Sequence, residues 1–286
     1  MLWPVSEAVV ARALSSGRTD HFDDAMDVLA LVTTRFTGEF AIRAMLLADL
    51  DRAVDIAETW TSSPDEHVRR LASEGTRSHL PWAKGVPGLV RQTRSTRAIV
   101  DALYRDESET VRRSVSNHVN DVSRDHPDLA AEIAGAWLAT PDAATPQVAR
   151  HAMRSLVKKG HRGALEIMGF TGADFTVDGP TVADVVVPFG GAVDVAARVT
   201  NDGAEQARAA IDIVLHFQKA RGGTAPKVFK FGVRTLAPGE SADVSRTYSF
   251  HPRTTRVFHP GEHAVSLQVN GVAHGRAAFT LLASER

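Results

Sequence analysis

Basic side chains recur at matching places in three similar segments of the first half of the chain. The segments begin at Val68, Val111 and Val148, so their spacings are 43 (111 − 68) and 37 (148 − 111) residues. One aligned position is basic throughout, with Arg70, Arg113 and Arg150, and His151 follows it directly in the third segment. A position one helical turn later is polar, with Glu74, Asn117 and Arg154. A row of such side chains suits phosphate binding, although an ordinary solvated surface explains the same periodicity equally well.

Charge is also sorted along this half of the chain. Basic residues cluster in two segments, which are Arg91, Arg94 and Arg97 and then Arg150, Arg154, Lys158, Lys159 and Arg162. Many acids lie elsewhere, as in Asp20, Asp23, Asp24 and Asp27. The formal net charge is −1, so the chain lacks the strongly basic total of many nucleic-acid binders. A phosphate-binding role therefore needs the basic residues on one face.

The elements that position these residues are predicted to be helices as far as residue 170. Apolar residues such as Phe22, Met26 and Leu29 recur at helical spacing. Helix starts are marked by capping residues with proline, in Ser63-Pro64-Asp65, Asp125-His126-Pro127-Asp128 and Thr145-Pro146. Because the repeat spacing is close to that of HEAT or armadillo units, we predict a HEAT-like helical solenoid with an extended concave face.

After Gly169-Phe170 the apolar pattern changes to period two, which is typical of strands. We predict about seven strands, over 184–187, 193–199, 211–217, 228–233, 242–250, 264–269 and 276–281. Turn sequences such as Asn201-Asp202-Gly203 and Pro238-Gly239-Glu240 separate them. The pattern predicts an all-β immunoglobulin-like sandwich. The predicted domains are residues 1–170 and 171–286.

Composition excludes several classes of protein and site. The 286 residues are 43% apolar and contain no cysteine, so disulfides and cysteine-ligated metals are excluded. No apolar run approaches the length of a membrane span. The start, Met1-Leu2-Trp3-Pro4, lacks the features of a secretion signal. The twelve histidines show no spacing typical of zinc ligands, so we expect no metal site.

Several motifs of the helical half together resemble one family. They are Phe36-Thr37-Gly38-Glu39-Phe40-Ala41-Ile42-Arg43, Val68 to Arg77, Leu80-Pro81-Trp82, Val111 to Asp121, Arg150-His151-Ala152, Ser155 to Gly160 and Ala164 to Phe170. The series resembles the AlkC-type DNA alkylation repair glycosylases, which are HEAT-like-repeat proteins related to the AlkD type. In the tail, His216 to Ala220 and Pro226 to Lys230 resemble the immunoglobulin-like domain of one branch of that family. Family members usually have more helices before the Phe-x-x-Glu segment than this chain has room for.

The resemblance implies a set of catalytic residues. Glu39, Glu74 and Asp121 match the family's active-site carboxylates, and Trp82 matches its aromatic site residue. The implied reaction is hydrolysis of the N-glycosidic bond of small cationic bases, N3-methyladenine and N3-methylcytosine, in duplex DNA without base flipping. Carboxylates stabilise the oxocarbenium-like sugar and position water, and an aromatic face attracts the cation. Neither a metal nor an organic cofactor is implied.

The same resemblance, with the charge sorting, assigns the contacts with DNA. The candidates for phosphate contacts in the helical half are Arg77, Arg112, Arg113, Arg150, Arg154 and Lys158. In the sandwich they are Lys219, Arg221 and Lys227, on a glycine-rich loop that is implied to reach the duplex from the side opposite the helices. The expected partner is duplex DNA containing alkylated bases, and the expected state is a monomer in the bacterial cytosol or nucleoid.

Two other functions remain open from the sequence. One is a non-catalytic DNA-binding or lesion-sensing protein on the same scaffold. Carboxylates facing a phosphate surface weaken binding unless they take part in chemistry, which argues against it. The other is a HEAT-type protein-interaction scaffold, with which the nearly neutral net charge agrees.

Overall fold

The chain divides into a helical part followed by a part made of strands, as the sequence predicts. The computed structural model describes residues 3–170, 174–252, 254 and 256–284, with the side chain of Trp3 left aside. Two compact units are present, Met1–Leu156 and Val157–Arg286. The predicted second domain begins at Thr171, which lies outside the described residues. The 170/171 boundary follows the change of secondary structure and stays a prediction.

The described residues contain eleven α-helices. They are α1 (Trp3–Ser16), α2 (Thr19–Val32), α3 (Ile42–Ala48), α4 (Leu50–Thr59), α5 (Glu66–Gly75), α6 (Pro87–Arg91), α7 (Arg97–Leu103), α8 (Glu109–Asp125), α9 (Pro127–Ala139), α10 (Thr145–Lys158) and α11 (Arg162–Ile167). The three predicted helix starts are those of α5, α9 and α10. At α5, the Asp65 carboxylate accepts a hydrogen bond from the backbone N–H of His67 at 2.8 Å, which is an N-cap interaction.

Helices α5, α8 and α10 carry the three repeated segments and form much of the helical core. The aligned Val68, Val111 and Val148 are all buried. Helix α5 packs against α8, and both bury polar side chains beside their apolar ones. A buried polar group needs a partner because desolvation is unfavourable. The polar stretch between these two helices is therefore a candidate site, whereas the HEAT-like interpretation of the repeat stays a prediction.

Eight strands form two sheets in the second unit. They are β1 (Phe175–Val182), β2 (Val186–Val187), β3 (Ala192–Asn201), β4 (Ala207–Gln218), β5 (Thr224–Leu236), β6 (Ser241–Ser249), β7 (Gly261–Val269) and β8 (Val272–Leu281). One sheet has the order β1-β3-β6 and the other β2-β8-β7-β4-β5. All pairings are antiparallel except β2 with β8. This arrangement confirms the predicted immunoglobulin-like sandwich.

One strand escaped the sequence analysis. Strand β1 contains Gly179-Pro180, and its register with β3 shifts between Asp178 and Thr181. Proline lacks the N–H that a strand donates, so a sequence pattern containing it indicates a turn. Here β1 lies at the edge of its sheet, which is where proline is tolerated.

The sandwich core lies between the two sheets. Inward residues of β3, β4, β7 and β8 fill it, and Phe217, Phe250 and Phe279 supply its aromatic part. The second unit also includes the end of α10 and all of α11. There the carbonyl of Lys158 accepts from Gln268 Nε2 at 2.5 Å, and that of Met168 accepts from Arg208 Nη1 at 2.7 Å. Among the described residues, no helix is both long and apolar enough to cross a membrane.

Candidate active site

Two of the predicted catalytic carboxylates converge on one arginine. Glu74 lies in the last turn of α5, Asp121 in the C-terminal half of α8, and Arg77 two residues after α5 ends. Arg77 Nη1 donates to Glu74 Oε1 at 2.6 Å, and Arg77 Nε donates to Asp121 Oδ2 at 2.8 Å. Arg77 is 7% exposed and Asp121 is 1% exposed. A single buried guanidinium therefore fixes two acids that come from different helices.

The two carboxylates differ in how many of their oxygens accept a hydrogen bond. Glu74 Oε2 accepts a hydrogen bond from Ser114 Oγ at 2.6 Å, so both of its oxygens have partners. Asp121 Oδ1 is buried and accepts no hydrogen bond from the described residues. Arg124 Nη2 lies 3.7 Å from that oxygen. Asp121 thus presents one buried oxygen that can accept a hydrogen bond from a bound group.

The surroundings of the pair are cationic. Burial lowers the pKa of Arg77, but the hydrogen bond to Asp121 and the charges of Glu74 and Asp121 outweigh it, so the pKa stands above the ordinary value. The pKa of Arg154 is lowered, chiefly by burial, while the charge of Asp121 raises it and those of Arg77 and Arg124 lower it. Glu74 and Asp121 consequently lie among several guanidinium groups.

A second buried arginine holds the backbone that carries Arg77. Arg43, in α3, is 1% exposed, and its guanidinium donates to three backbone carbonyls. The acceptors are the carbonyls of Gly75 at 3.0 Å, Arg77 at 2.7 Å and Lys84 at 3.0 Å. Burial, with the nearby charge of Arg77, lowers the pKa of Arg43 to about 10. Arg43 therefore ties the segment 75–84 to α3, and sequence reasoning missed this role.

The third predicted carboxylate joins the same network through a residue that was not assigned to the site. Glu39 lies in the turn before α3 and is half-buried. Arg70 Nη2 donates to Glu39 Oε2 at 3.0 Å and lies 4.0 Å from Glu74 Oε1. Glu39, Glu74 and Asp121 are thus brought together. The spacing of four residues between Arg70 and Glu74, on one face of a helix, was the signal in the sequence.

Trp82 stands apart from the buried network. It lies in the segment between α5 and α6 and is 96% exposed. Its φ of 66° is a left-handed conformation, which is unfavourable for a bulky residue. An exposed aromatic ring on a strained backbone gains nothing from core packing. Such residues are typical of functional sites, where a ligand covers the ring.

The predicted phosphate contacts of the helical unit occupy different environments. Arg113 is exposed and pairs with Glu109 at 2.8 Å, and Arg150 is also exposed. Arg112 is half-buried and donates to the carbonyls of Asp106 and Glu107 at 2.5 and 2.8 Å. Both Arg112 and Arg113 line a cavity of about 200 Å³ between α8 and α10. Of this group, Arg77 is the member that lies buried among the acids.

The repeat register does bring its aligned residues into contact. Arg154 Nη2 donates to Asn117 Oδ1 at 3.1 Å, and His151 Nε2 lies 3.1 Å from the same oxygen. The polar stripe predicted from the spacing therefore exists between α8 and α10. Its members His151 and Arg154 are both exposed to solvent, although partial burial lowers the pKa of each side chain.

The predicted contacts of the second unit lie mostly on one hairpin. Lys219, Arg221 and Lys227 are exposed where β4 turns into β5. A neighbouring side chain, Arg256, stacks over the ring of Phe217 at 4.2 Å and was not predicted. Together with Lys219 and Lys227 it lines a cavity of about 250 Å³.

The remaining predicted contact, Lys158, is exposed and already bonded. Its ammonium group donates to the carbonyl of Val228 at 2.8 Å.

The described residues contain no group of three or more His, Cys, Asp or Glu side chains arranged to hold a metal ion.

Comparison with known proteins gives two strong matches over the chain. The curated protein YhaZ of Bacillus subtilis (strain 168), described as uncharacterized, is 34% identical over 252 residues, which is 88% of this chain and 70% of that protein. The solved structure of Pseudomonas fluorescens alkylpurine DNA glycosylase AlkC, bound to DNA containing an abasic site analog, is 35% identical with a TM-score of 0.87. The match covers 98% of this chain and 77% of that one.

The second unit matches a family model of its own. The model for the C-terminal Ig-like domain of uncharacterised protein YhaZ covers residues 176–283, which is nearly all of the part formed by strands. Together with the two matches over most of the chain, this match confirms the resemblance drawn from the motifs. The chain belongs to the family of AlkC and YhaZ, in the branch that carries a C-terminal immunoglobulin-like domain.

Proposed function

We propose that this protein is a DNA glycosylase that releases small cationic alkylated bases, N3-methyladenine and N3-methylcytosine, from duplex DNA. The observation that carries the proposal is the convergence of Glu74 and Asp121 on Arg77. It occurs in a chain whose likeness to an alkylpurine DNA glycosylase covers 98% of its length. Action as a monomer in the bacterial cytosol belongs to the same proposal.

The chemistry of the substrate explains why carboxylates are needed. A base methylated at N3 carries a positive charge, so it is already a good leaving group and needs little help from a general acid. Breaking the N-glycosidic bond moves positive charge onto the deoxyribose. Fixed carboxylates close to the sugar stabilise that oxocarbenium-like state, as they do in other glycoside hydrolysis.

The two buried acids are suited to different parts of this task. Asp121 Oδ1 has no hydrogen bond from the described residues, so it can accept one from the attacking water and take up its proton. Glu74, with both oxygens bonded, supplies fixed negative charge. Glu39 adds a half-buried carboxylate at the edge of the same network.

Trp82 provides the contact with the lesion in this proposal. Its ring is exposed, so a cationic base or the adjacent sugar can stack on it without displacing other side chains. A cation–π contact of this kind contributes about 0.5–2 kcal/mol. Because the ring is at the surface, the lesion can be reached at the face of the duplex, in agreement with excision without base flipping.

The remaining basic residues would hold the DNA backbone. Arg112, Arg113, Arg150 and Arg154 in the helical unit, with Lys158, Lys219, Arg221 and Lys227 in the second unit, are the proposed phosphate contacts. Such contacts position the duplex but carry no sequence information, which suits an enzyme that must act wherever damage occurs.

One pair of measurements tests this function against its alternatives. Duplex DNA alkylated at N3 of adenine or cytosine is incubated with the protein, and free methylated base is quantified. Release is expected, whereas binding without release would indicate a lesion-sensing protein. Affinity for undamaged duplex is then titrated against salt. Affinity that falls steeply with salt is expected, and affinity insensitive to salt would indicate a protein-interaction scaffold.

A further inference from the structure

Arg77 is the most deeply buried of the predicted phosphate contacts, and its surroundings do not suit that role. A phosphate contact needs a guanidinium that reaches solvent, as that of Arg113 does with 67% of its side chain exposed. The Arg77 side chain is 9% exposed, and two of its nitrogens are already bonded to Glu74 and Asp121. Moving it to a phosphate would leave two buried carboxylates without their countercharge, which is strongly unfavourable.

We propose that Arg77 is a positioning residue, whose guanidinium holds Glu74 and Asp121 in the geometry that the reaction needs and does not contact DNA phosphate. This inference rests on the proposed function. The guanidinium is planar and donates from fixed directions, so a single group can orient two carboxylates at once. With Nη1 on Glu74 and Nε on Asp121, the relative placement of α5 and α8 at the site depends on this side chain.

The backbone around Arg77 is arranged to hold it still. Its carbonyl accepts from Arg43 Nη1 at 2.7 Å, and its N–H donates to the carbonyl of Glu74 at 3.4 Å. Ser114 Oγ holds the far oxygen of Glu74 at 2.6 Å. Both ends of the Glu74–Arg77 pair are therefore anchored. Restrained groups of this kind stabilise a transition state without having to reorganise during the reaction.

The other charged groups around Arg77 do not replace it. Arg43 from α3 already donates its guanidinium hydrogen bonds to three backbone carbonyls. Arg124 lies 3.7 Å from Asp121 Oδ1, and half of its side chain is exposed. Arg154 from α10 is bonded to Asn117, and His118 from α8 is held neutral by burial, which lowers its pKa to about 4. Arg70 from α5 lies 4.0 Å from Glu74 Oε1 but donates to Glu39. Removing Arg77 thus takes from both carboxylates their nearest guanidinium, and a nearby opposite charge favours the charged form of a group.

The test compares Arg77→Met and Arg77→Lys with Arg113→Ala. Single-turnover release of N3-methyladenine at saturating enzyme should fall at least about a hundredfold in Arg77→Met, with the salt dependence of affinity for undamaged duplex unchanged. The acid limb of its pH–rate profile should move to higher pH by about one unit. Arg77→Lys keeps the positive charge but lacks the planar guanidinium with its fixed donors. It should therefore restore the position of the acid limb but not the full rate. Arg113→Ala should reduce the slope of log affinity for duplex DNA against log salt concentration, here called the salt slope, by about 0.9.

Two outcomes would overturn the proposal. A salt slope reduced by about 0.9 in Arg77→Met, with the pH profile unmoved, would make Arg77 a phosphate contact. Full excision by Arg77→Lys would show that charge alone suffices. If Arg77→Met does not fold, the rate of Arg77→Lys decides.

If the wild type releases no base, the proposed function fails by itself. Carbon-13 NMR of the ligand-free protein then decides whether the two carboxylates protonate at higher pH without Arg77, and an unchanged titration would contradict the inference.

Discussion

Arg77 Nε lies 2.8 Å from Asp121 Oδ2, a partner that is 44 residues away in sequence. This pair connects the end of α5 with the C-terminal half of α8, and both side chains are almost fully buried. Losing one member of a buried ion pair typically costs about 3–5 kcal/mol, because the other charge is left in a medium that solvates it poorly. The site is therefore stabilised by the same contact that orients it.

Arg43 is expected to stabilise the site segment through its backbone contacts. Replacing it with methionine leaves the carbonyls of Gly75, Arg77 and Lys84 without their donor. Each unsatisfied buried group costs about 1–3 kcal/mol, so Arg43→Met should lower the free energy of unfolding by about 3 kcal/mol or more. Urea denaturation measures this change. Arg52→Ala removes an arginine that pairs at the surface with Asp23 and should change it by less than about 1 kcal/mol. Equal losses in the two variants would contradict the role of Arg43.

Trp82 is expected to matter for excision and not for folding. Its ring is 96% exposed and its φ is 66°, so Trp82→Gly loses no packing and adopts that backbone conformation without strain. The free energy of unfolding should stay within about 1 kcal/mol of the wild type. Release of N3-methyladenine should fall roughly tenfold, from the lost cation–π contact. A variant that excises at the wild-type rate would show that the ring does not contact the lesion.

His118 gives the helical unit a pH-dependent stability. Its Nδ1 lies 3.0 Å from the carbonyl of Ser73 and its Nε2 lies 3.1 Å from Thr96 Oγ1, so both ring nitrogens have hydrogen-bond partners. Burial lowers its pKa to about 4, from an ordinary value of 6.5. The unfolded chain thus binds the proton first as pH falls, so stability is complete above pH 6.5 and is lost towards pH 4.

The size of this effect can be measured against a variant that does not titrate. Between pH 7 and pH 5.5 the wild type should lose about 1 kcal/mol more unfolding free energy than His118→Gln, from the difference between the two pKa values. Urea denaturation at the two pH values gives both numbers. Equal losses would show that the imidazole titrates normally in the folded protein.

The exposed arginines of α8 and α10 are expected to account for salt dependence. Arg113→Ala should reduce the slope of log affinity against log salt by about 0.9. Arg198→Ala is the matched control, since Arg198 is similarly exposed and pairs with Asp243 on the three-stranded sheet. It should leave the slope unchanged. Equal effects of both substitutions would mean that the duplex does not select the helical face that carries Arg113.

The sequence was informative wherever local pattern determines structure. The period of the apolar residues identified both parts of the fold, and the capping residues located the starts of α5, α9 and α10. Strand β1 was missed because Gly179-Pro180 imitates a turn, and only its place at the sheet edge makes the proline acceptable.

The site was only partly predictable. The motifs predicted Glu39, Glu74 and Asp121 as catalytic carboxylates, and this role stays a prediction. The structure links the three side chains through Arg70 and Arg77. Sequence alone did not distinguish Arg77, which is buried, from Arg113, which is exposed, because both are arginines beside a repeated helix. That difference depends on which side chain faces α8, a tertiary relationship. The role of Arg43 was hidden for the same reason, since its partners are backbone carbonyls that no side-chain pattern reveals.

The central claim is that Glu74 and Asp121 perform the chemistry. The direct measurement is single-turnover release of N3-methyladenine from alkylated duplex by Glu74→Gln and by Asp121→Asn, with Glu132→Gln as control, because Glu132 pairs with Arg94 and Arg97 at the surface. We expect each site variant to lose at least about a hundredfold in rate while binding undamaged duplex as well as the wild type, and the control to be unaffected. Release at the wild-type rate by both site variants would contradict the account.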